Sequence, residues 1–405
     1  MRTYRQLFAV REFRVLFLTQ SLTMAAHSVA SLALGTITYA ATGSPVLSAL
    51  SMFGGPLLRL VGSWFLGAVA DTIRPRLALM MIAVSAMVAD LLQAIPGLPW
   101  GWRFALLAIP WLAMAAAGGS MIALMSDILP RDAFVLGRST MNVAVGAMQI
   151  VGYGLGGLLL MRFTTTELFL AAAAAGLVAL VLVRLGLRDH PPRVRVAAVV
   201  ERSRHVNRAL LTSPVIRPIL LNLWVPNGLI VGCEALFVPF SGNRAGYLFA
   251  ASAAGMLMGD VVVGRFVPIS VRDRLITPLR LLLGVPYLAF VLVPSLPYAA
   301  GLAFVAGAGF AASLPLQERL VERTEESARG QVFGVSSTGL LVGQAVGALL
   351  GGLVAQLLGP DQADVSRAMG IMAGASVLTT ALLTPGLRRS RPLAPEPAPS
   401  PARAR

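Results

Sequence analysis

Five ionisable side chains stand inside stretches that are otherwise apolar: His27, Arg59, Asp90, Glu234 and Asp260. A charge near the centre of a bilayer costs about 3 kcal/mol or more, so each of them needs a wet cavity or a partner. A carboxyl withdrawn from water holds its proton more tightly, and it releases that proton beside a cation. Glu234 or Asp260 could therefore load and unload a proton, with Arg59 and a cationic solute as the cations that alternate beside it. The competing reading is a permanent ion pair or hydrogen bond without titration. Asn222, Trp224 and Asn227 lie in the same stretch as Glu234 and could contact a small molecule. Pro226 stands among them, where it could break its helix and free carbonyls beside a site.

Other chemistries have little footing. There are three His residues and one Cys, Cys233, and all 33 basic residues are Arg. No His-Glu-x-x-His helix and no phosphate loop ending in Gly-Lys can be written from this sequence. A Cys-based metal site and an internal disulfide are excluded by the single thiol. The expectation is a protein that is not an enzyme and holds neither metal nor cofactor.

A second constellation is GAVADTIRPR, with Gly67, Asp71, Arg74 and Arg76 at the end of an apolar block. Gly67 would let helices approach closely. The acid and the two Arg residues would sit at the membrane edge, where ion pairs can hold a gate shut and break when it opens. Anchoring of the topology is the alternative. A similar stretch near Gly264 and Arg274 has no matching acid.

The elements that must position these residues are membrane helices. Of 405 residues, 56% are hydrophobic and 13% charged, whereas a soluble domain needs about 25% charged. The net charge of +15 is carried by Arg residues between apolar blocks, a topology signal and not the basic face of a nucleic-acid binder. Apolar blocks long enough to cross a bilayer run roughly over 14–40, 46–70, 77–95, 104–126, 137–161, 166–187, 215–241, 244–267, 276–294, 298–320, 331–358 and 364–385. With the N-terminus inside, the outer loops hold only Arg103, Arg162, Arg244 and Arg367, and Arg59 lies within a span. That leaves 28 of 33 on the inner side (33 minus 5), so both termini are expected in the cytoplasm, in the cell membrane.

The expected architecture is an all-α polytopic membrane protein of twelve helices. Residues 1–187 form one six-helix half and 215–385 the other. A basic cytoplasmic linker spans 188–214, and the Pro-rich tail 386–405 is expected to be disordered. The halves are related. QIVGYGLGGL from Gln149 and QAVGALLGGL from Gln344 align at an offset of 195 (344 minus 149), matching Gly152, Gly156 and Gly157 with Gly347, Gly351 and Gly352. With Gly343, these small residues make flat helix faces for tight packing. Repeated halves about an axis along the membrane normal are a transporter architecture.

These features resemble the major facilitator superfamily. Gly67, Asp71 and Arg76 fall on the first, fifth and tenth positions of its loop signature, while Thr72, Arg74 and Pro75 depart from it. The glycine runs resemble its antiporter motif, with Tyr153 and Ala348 in place of Pro, and the wording of GCEALFVPF and GDVVVGRF resembles actinobacterial efflux members. The resemblance implies a secondary transporter working by alternating access, with the loop as gate and helices 1, 2, 7 and 8 lining a central cavity. Helix 3, and so Asp90, would be peripheral. It implies proton-coupled export of a small molecule by a monomer, and the mostly apolar cavity residues favour a hydrophobic or amphipathic substrate. An uptake permease, a passive carrier and a non-transporting membrane partner or receptor remain alternatives.

Overall fold

The computed structural model describes residues 4–66, 73–117, 120–190, 207–325 and 329–389, and every regular element in them is helical. Ten stretches are long and apolar enough to cross a membrane, and a bent helix pair makes an eleventh. One of the ten, Ile216–Phe266, folds back on itself. Its turn is Gly242–Arg244, entered through Gly242 at φ 56°, a conformation open to glycine. Glu234 and Ser252, hydrogen-bonded across that turn, lie nine residues to either side of Asn243, as a hairpin requires. This stretch therefore crosses twice, and the described residues hold twelve spans. The chain is a multi-pass, all-helical membrane protein.

Spans 1 to 6 are Arg11–Thr42, Pro45–Phe53 with Gly55–Leu66, Pro75–Gln93, Trp100–Ala117 with Ser120–Ile128, Arg131–Leu160 and Thr165–Gly186. Spans 7 to 12 are Ile216–Glu234 with Phe237–Ser241, Ala245–Val261, Ile269–Leu288, Leu296–Ala308 with Ser313–Glu322, Arg329–Leu358 and Gln362–Arg389. Local signals set the ends. Gly43 caps span 1 at φ 63°, and Ser44 then accepts from the Leu47 N–H with Pro45 in the first turn. Thr164 and Glu167 close a capping box at the start of span 6.

Four details correct the sequence reading. Span 2 is not continuous: it bends by 58° at Gly54, where Pro56 supplies no N–H to carry the ladder through. Span 7, by contrast, runs unbroken through Pro226, whose carbonyl accepts from Ser376 Oγ of span 12 at 3.1 Å. Span 12 continues to Arg389, past the expected end at 385. Arg103 is buried, not a loop surface charge. It bonds the carbonyls of Gln93 and Leu98 and so staples the turn between spans 3 and 4. Most of the 188–214 linker and the tail from 390 lie outside the described residues.

Span 1 packs on spans 5 and 6, and span 7 on spans 11 and 12. Between these groups lie two seams, span 5 against 8 and span 11 against 2. At the end away from the chain termini, here the distal end, both seams are backbone on backbone. A Cβ on Gly157 would lie 2.6 Å from the Gly246 carbonyl oxygen, and one on Gly352 would lie 2.8 Å from Val46 Cα. Ser44 Oγ also donates to Gln356 across the second seam, at 2.8 Å. Towards the termini, at Gly146 of span 5, an added Cβ would meet nothing within 4 Å. Further along, the guanidinium of Arg138 reaches Gly334 of span 11, within 2.9 Å of where a Cβ would stand.

Candidate substrate and proton site

Glu234 ends the first segment of span 7 and is almost completely buried. Its Oε1 accepts from Ser252 Oγ of span 8 at 2.6 Å. The hydroxyls of Tyr153 from span 5 and Tyr287 from span 9 lie within its electrostatic reach. The Tyr287 side chain is fully buried, with Ser252 beside its hydroxyl. Aromatic rings seal this cluster. Tyr153 stacks on Phe249 of span 8 at 5.8 Å and leans on Phe53 of span 2 at 5.7 Å, and Phe249 meets Phe237 edge-on at 5.0 Å. The layer joins spans 2 and 5 to spans 7 and 8 just beneath the distal seams. Sequence reasoning missed it, together with Ser252 and Tyr287.

Asp260 occupies a different place. Gly246, Ala250 and Ala253 form the face of span 8 that meets span 5, and Asp260 continues it two turns further on. The antiparallel register that opposes Gly246 to Gly157 and Ala253 to Gly154 sets Asp260 opposite residues 143–147, where span 5 leaves open space at Gly146. Asp260 is half-buried, and its Oδ1 has no partner among the described residues. One acid is thus enclosed under the closed end, and the other lies half-buried further along the span 8 face that meets span 5.

The remaining candidates are dispersed. Asn227 accepts from Gln344 Nε2 of span 11 at 3.2 Å. Asn222 donates to its own helix, at the Pro218 carbonyl. Trp224 donates to the Ser336 carbonyl at 2.9 Å and lies flat over Gly339, so it ties span 7 to span 11. His27 sits edge-on to Trp111 of span 4 with Ser31 Oγ at 3.3 Å. Arg59, on the second segment of span 2, is half-buried, and among the described residues it forms no ion pair with Glu234 or Asp260. Asp90 is half-buried on span 3, away from both acids. The described residues contain no cluster of His, Cys, Asp and Glu able to hold a metal.

In the loop constellation, Gly67 and Asp71 lie outside the described residues. Arg74 pairs with Asp189, and Arg76 donates to the Arg184 carbonyl, both at the end of span 6. The equivalent place between spans 8 and 9 carries more bonding than expected, and Arg272, not Arg274, makes it. Arg272 donates to the carbonyls of Gly264 at 2.7 Å and Val267 at 2.9 Å, and it pairs with Glu318 of span 10 at 2.5 Å. Asp273 pairs with Arg319, which also donates to the Leu387 carbonyl at 2.8 Å. The acids come from span 10 and from the first turns of span 9, a pairing that loop spacing does not reveal. Arg280, counted above among inner-side charges, is instead fully buried within span 9.

The glycine repeat does the same work twice. Gly152 and Gly156 rest on span 1 at Ala25 and Val29, while Gly347 and Gly351 rest on span 7 at Gly228 and Gly232. Gly343 faces Trp224 on the same span. The last glycine of each set, Gly157 or Gly352, crosses to the other group of spans.

This arrangement is the major facilitator fold. The Major Facilitator Superfamily model matches residues 239–405. No curated protein matches the chain in sequence. Among solved structures, a bacterial homolog of the human lysosomal transporter Spinster, inward-facing and occupied, is similar with a TM-score of 0.67 at 14% identity, over 95% of this chain and 98% of that one. A POT family transporter in complex with 5-aminolevulinic acid has a TM-score of 0.69 at 13% identity, over 94% of this chain and 97% of that one. A POT family transporter bound to a thioalcohol-conjugated peptide scores 0.66 at 14% identity, over 93% and 96%.

Proposed function

We propose that this chain is a secondary transporter of the major facilitator superfamily that exports a hydrophobic or amphipathic small molecule in exchange for protons. The observation that carries the reading is the unequal access of its two acids. Glu234 is enclosed with Ser252 beneath the aromatic layer and the distal seams, and Asp260 lies half-buried further towards the termini, across from the open space at Gly146. With the termini cytoplasmic, the distal end is the outer gate and this conformation is closed to the outside. Rocking of residues 1–187 against 215–385 would part the glycine seams, wet Glu234 from outside and close the space at Gly146 over Asp260. A carboxyl, Glu234 or Asp260, that takes up a proton while open to the outer side and loses that same proton once open to the inner side links proton entry to substrate exit. The mostly apolar walls suit a substrate with a large apolar body. A POT family transporter of similar fold has been solved in complex with 5-aminolevulinic acid, which supports a small-molecule cargo.

The test is proton flux in proteoliposomes under a substrate gradient, with candidates drawn from a susceptibility screen in cells lacking their own exporters. Wild type should move protons against substrate. Glu234→Gln and Asp260→Asn should each lose uphill transport while retaining the fold. Unchanged uphill export and pH dependence in both variants would overturn the coupling.

A further inference from the structure

At the distal rim lies a cavity of about 480 Å³, within the range of small-molecule sites. It straddles the two groups of spans. One wall is Phe163, Thr164 and Thr165 at the start of span 6, and the other is Asn243, Arg244 and Tyr247 at the start of span 8. No acid lines it. The nearby Glu167 carboxylate is occupied by the Thr164 N–H and hydroxyl, at 2.7 and 2.9 Å. Arg244 brings a full positive charge, and no described residue pairs with it in an ion pair or side-chain hydrogen bond. Span 8 begins there without a side-chain cap, so its first N–H groups add partial positive charge to the same wall. Phe163 and Tyr247, both about half exposed, offer ring surface to an apolar body.

We propose that this cavity is a binding site for a small aromatic carboxylate, distinct from the transport site, and that its occupant ties the distal rim closed. Arg244 takes the carboxylate as a charge-assisted pair, with the Thr165 hydroxyl and the Asn243 amide as further donors. The ring lies between Phe163 and Tyr247. Because one wall moves with span 6 and the other with span 8, a ligand touching both favours the conformation in which they are close. The tying action rests on the alternating-access reading above, whereas the binding does not.

Benzoate is the probe, added to purified full-length protein, with benzylamine as a ring of opposite charge. Benzoate should raise the melting temperature saturably and benzylamine should not. Arg244→Gln should need about tenfold more benzoate for half the shift, as expected for a lost charged hydrogen bond. Thr165→Phe, which fills the cavity and leaves Arg244 in place, should also weaken the shift. Glu234→Gln should leave it unchanged, so the site stands even if the proton reading fails. In a protein spin-labelled at Arg162 and Tyr298, both exposed at the distal end and outside the cavity, benzoate should narrow the distance distribution towards its short component. No shift, an equal shift with benzylamine, or full affinity in both cavity variants would overturn the site. Binding with an unaltered distance distribution would overturn the tying action.

Discussion

Gly246→Ala is the sharpest test of how the distal end is held. The new methyl would stand 1.9 Å from the Gly157 carbonyl oxygen and 2.6 Å from its carbon. Ordinary contact begins at about 3.4 Å, so the shortfall is about 1.5 Å (3.4 minus 1.9). Both sides are helix backbone, and no rotamer can relieve the overlap. Overpacking of this kind costs about 1–3 kcal/mol. If the cost falls on the closed seam alone, the closed-to-open ratio drops by about 5- to 150-fold. Spin labels at Arg162 and Asn243, both exposed beside the seam, report the ratio as a distance distribution. A longer component should appear or grow in Gly246→Ala. Gly301→Ala, whose Cβ would meet nothing within 4 Å, should leave the distribution unchanged. A folded, monodisperse Gly246→Ala protein with the wild-type distribution would refute the view that glycine contact decides closure here.

Three further outcomes are expected. Arg272→Gln should lower thermal stability by about 1.5–3 kcal/mol, since two carbonyls at the end of span 8 lose a charged donor, and Arg272→Lys should recover little of it because the forked geometry is gone. Glu318→Gln should cost less than about 1 kcal/mol, its side chain being 39% exposed; equal losses in thermal melts would contradict this division. Gly242→Ala should destabilise by about 1–3 kcal/mol, because φ 56° with ψ −130° is a conformation reserved for glycine, and a melt matching wild type would count against it. On a Cys233→Ser background, single cysteines at Ser44, Gly97 and Gln362 should react with an impermeant reagent from outside the cell and one at Ser203 should not; the opposite pattern would invert the orientation.

The spans were legible because a bilayer demands long apolar helices, and the turn at Gly242 was legible from a polar break between two apolar runs. The glycine repeat was legible too, since small residues at fixed spacing stand out even in an apolar background. The sealing layer was not. Phe53, Tyr153 and Phe249 are aromatic residues among other apolar residues, and only the tertiary register brings them together. Ser252 could not be assigned to Glu234 without knowing where the hairpin folds. The bend at Gly54 was hidden because apolar length counts residues and not directions. Arg280 was misplaced because it was counted with the inner-side charges by subtraction, although the apolar block 276–294 already contained it.

The two seams have an unusual mechanical character. Gly157 against Gly246 and Gly352 against Val46 meet without intervening side chains, so at these contacts no long, pliable arm can stretch as the halves part, and the Ser44–Gln356 hydrogen bond beside the second contact is the exception. Dispersion forces between such surfaces lose a large part of their strength within an ångström. The resistance to opening is therefore concentrated in the first small displacement and then vanishes. Such a joint behaves like a magnetic catch and not like a spring: it holds firmly or it lets go, with little population in between. The repeat places one catch on each side of the axis, so a movement that frees one seam by tilting alone presses on the other. Release of both together calls for a symmetric parting of the two groups of spans.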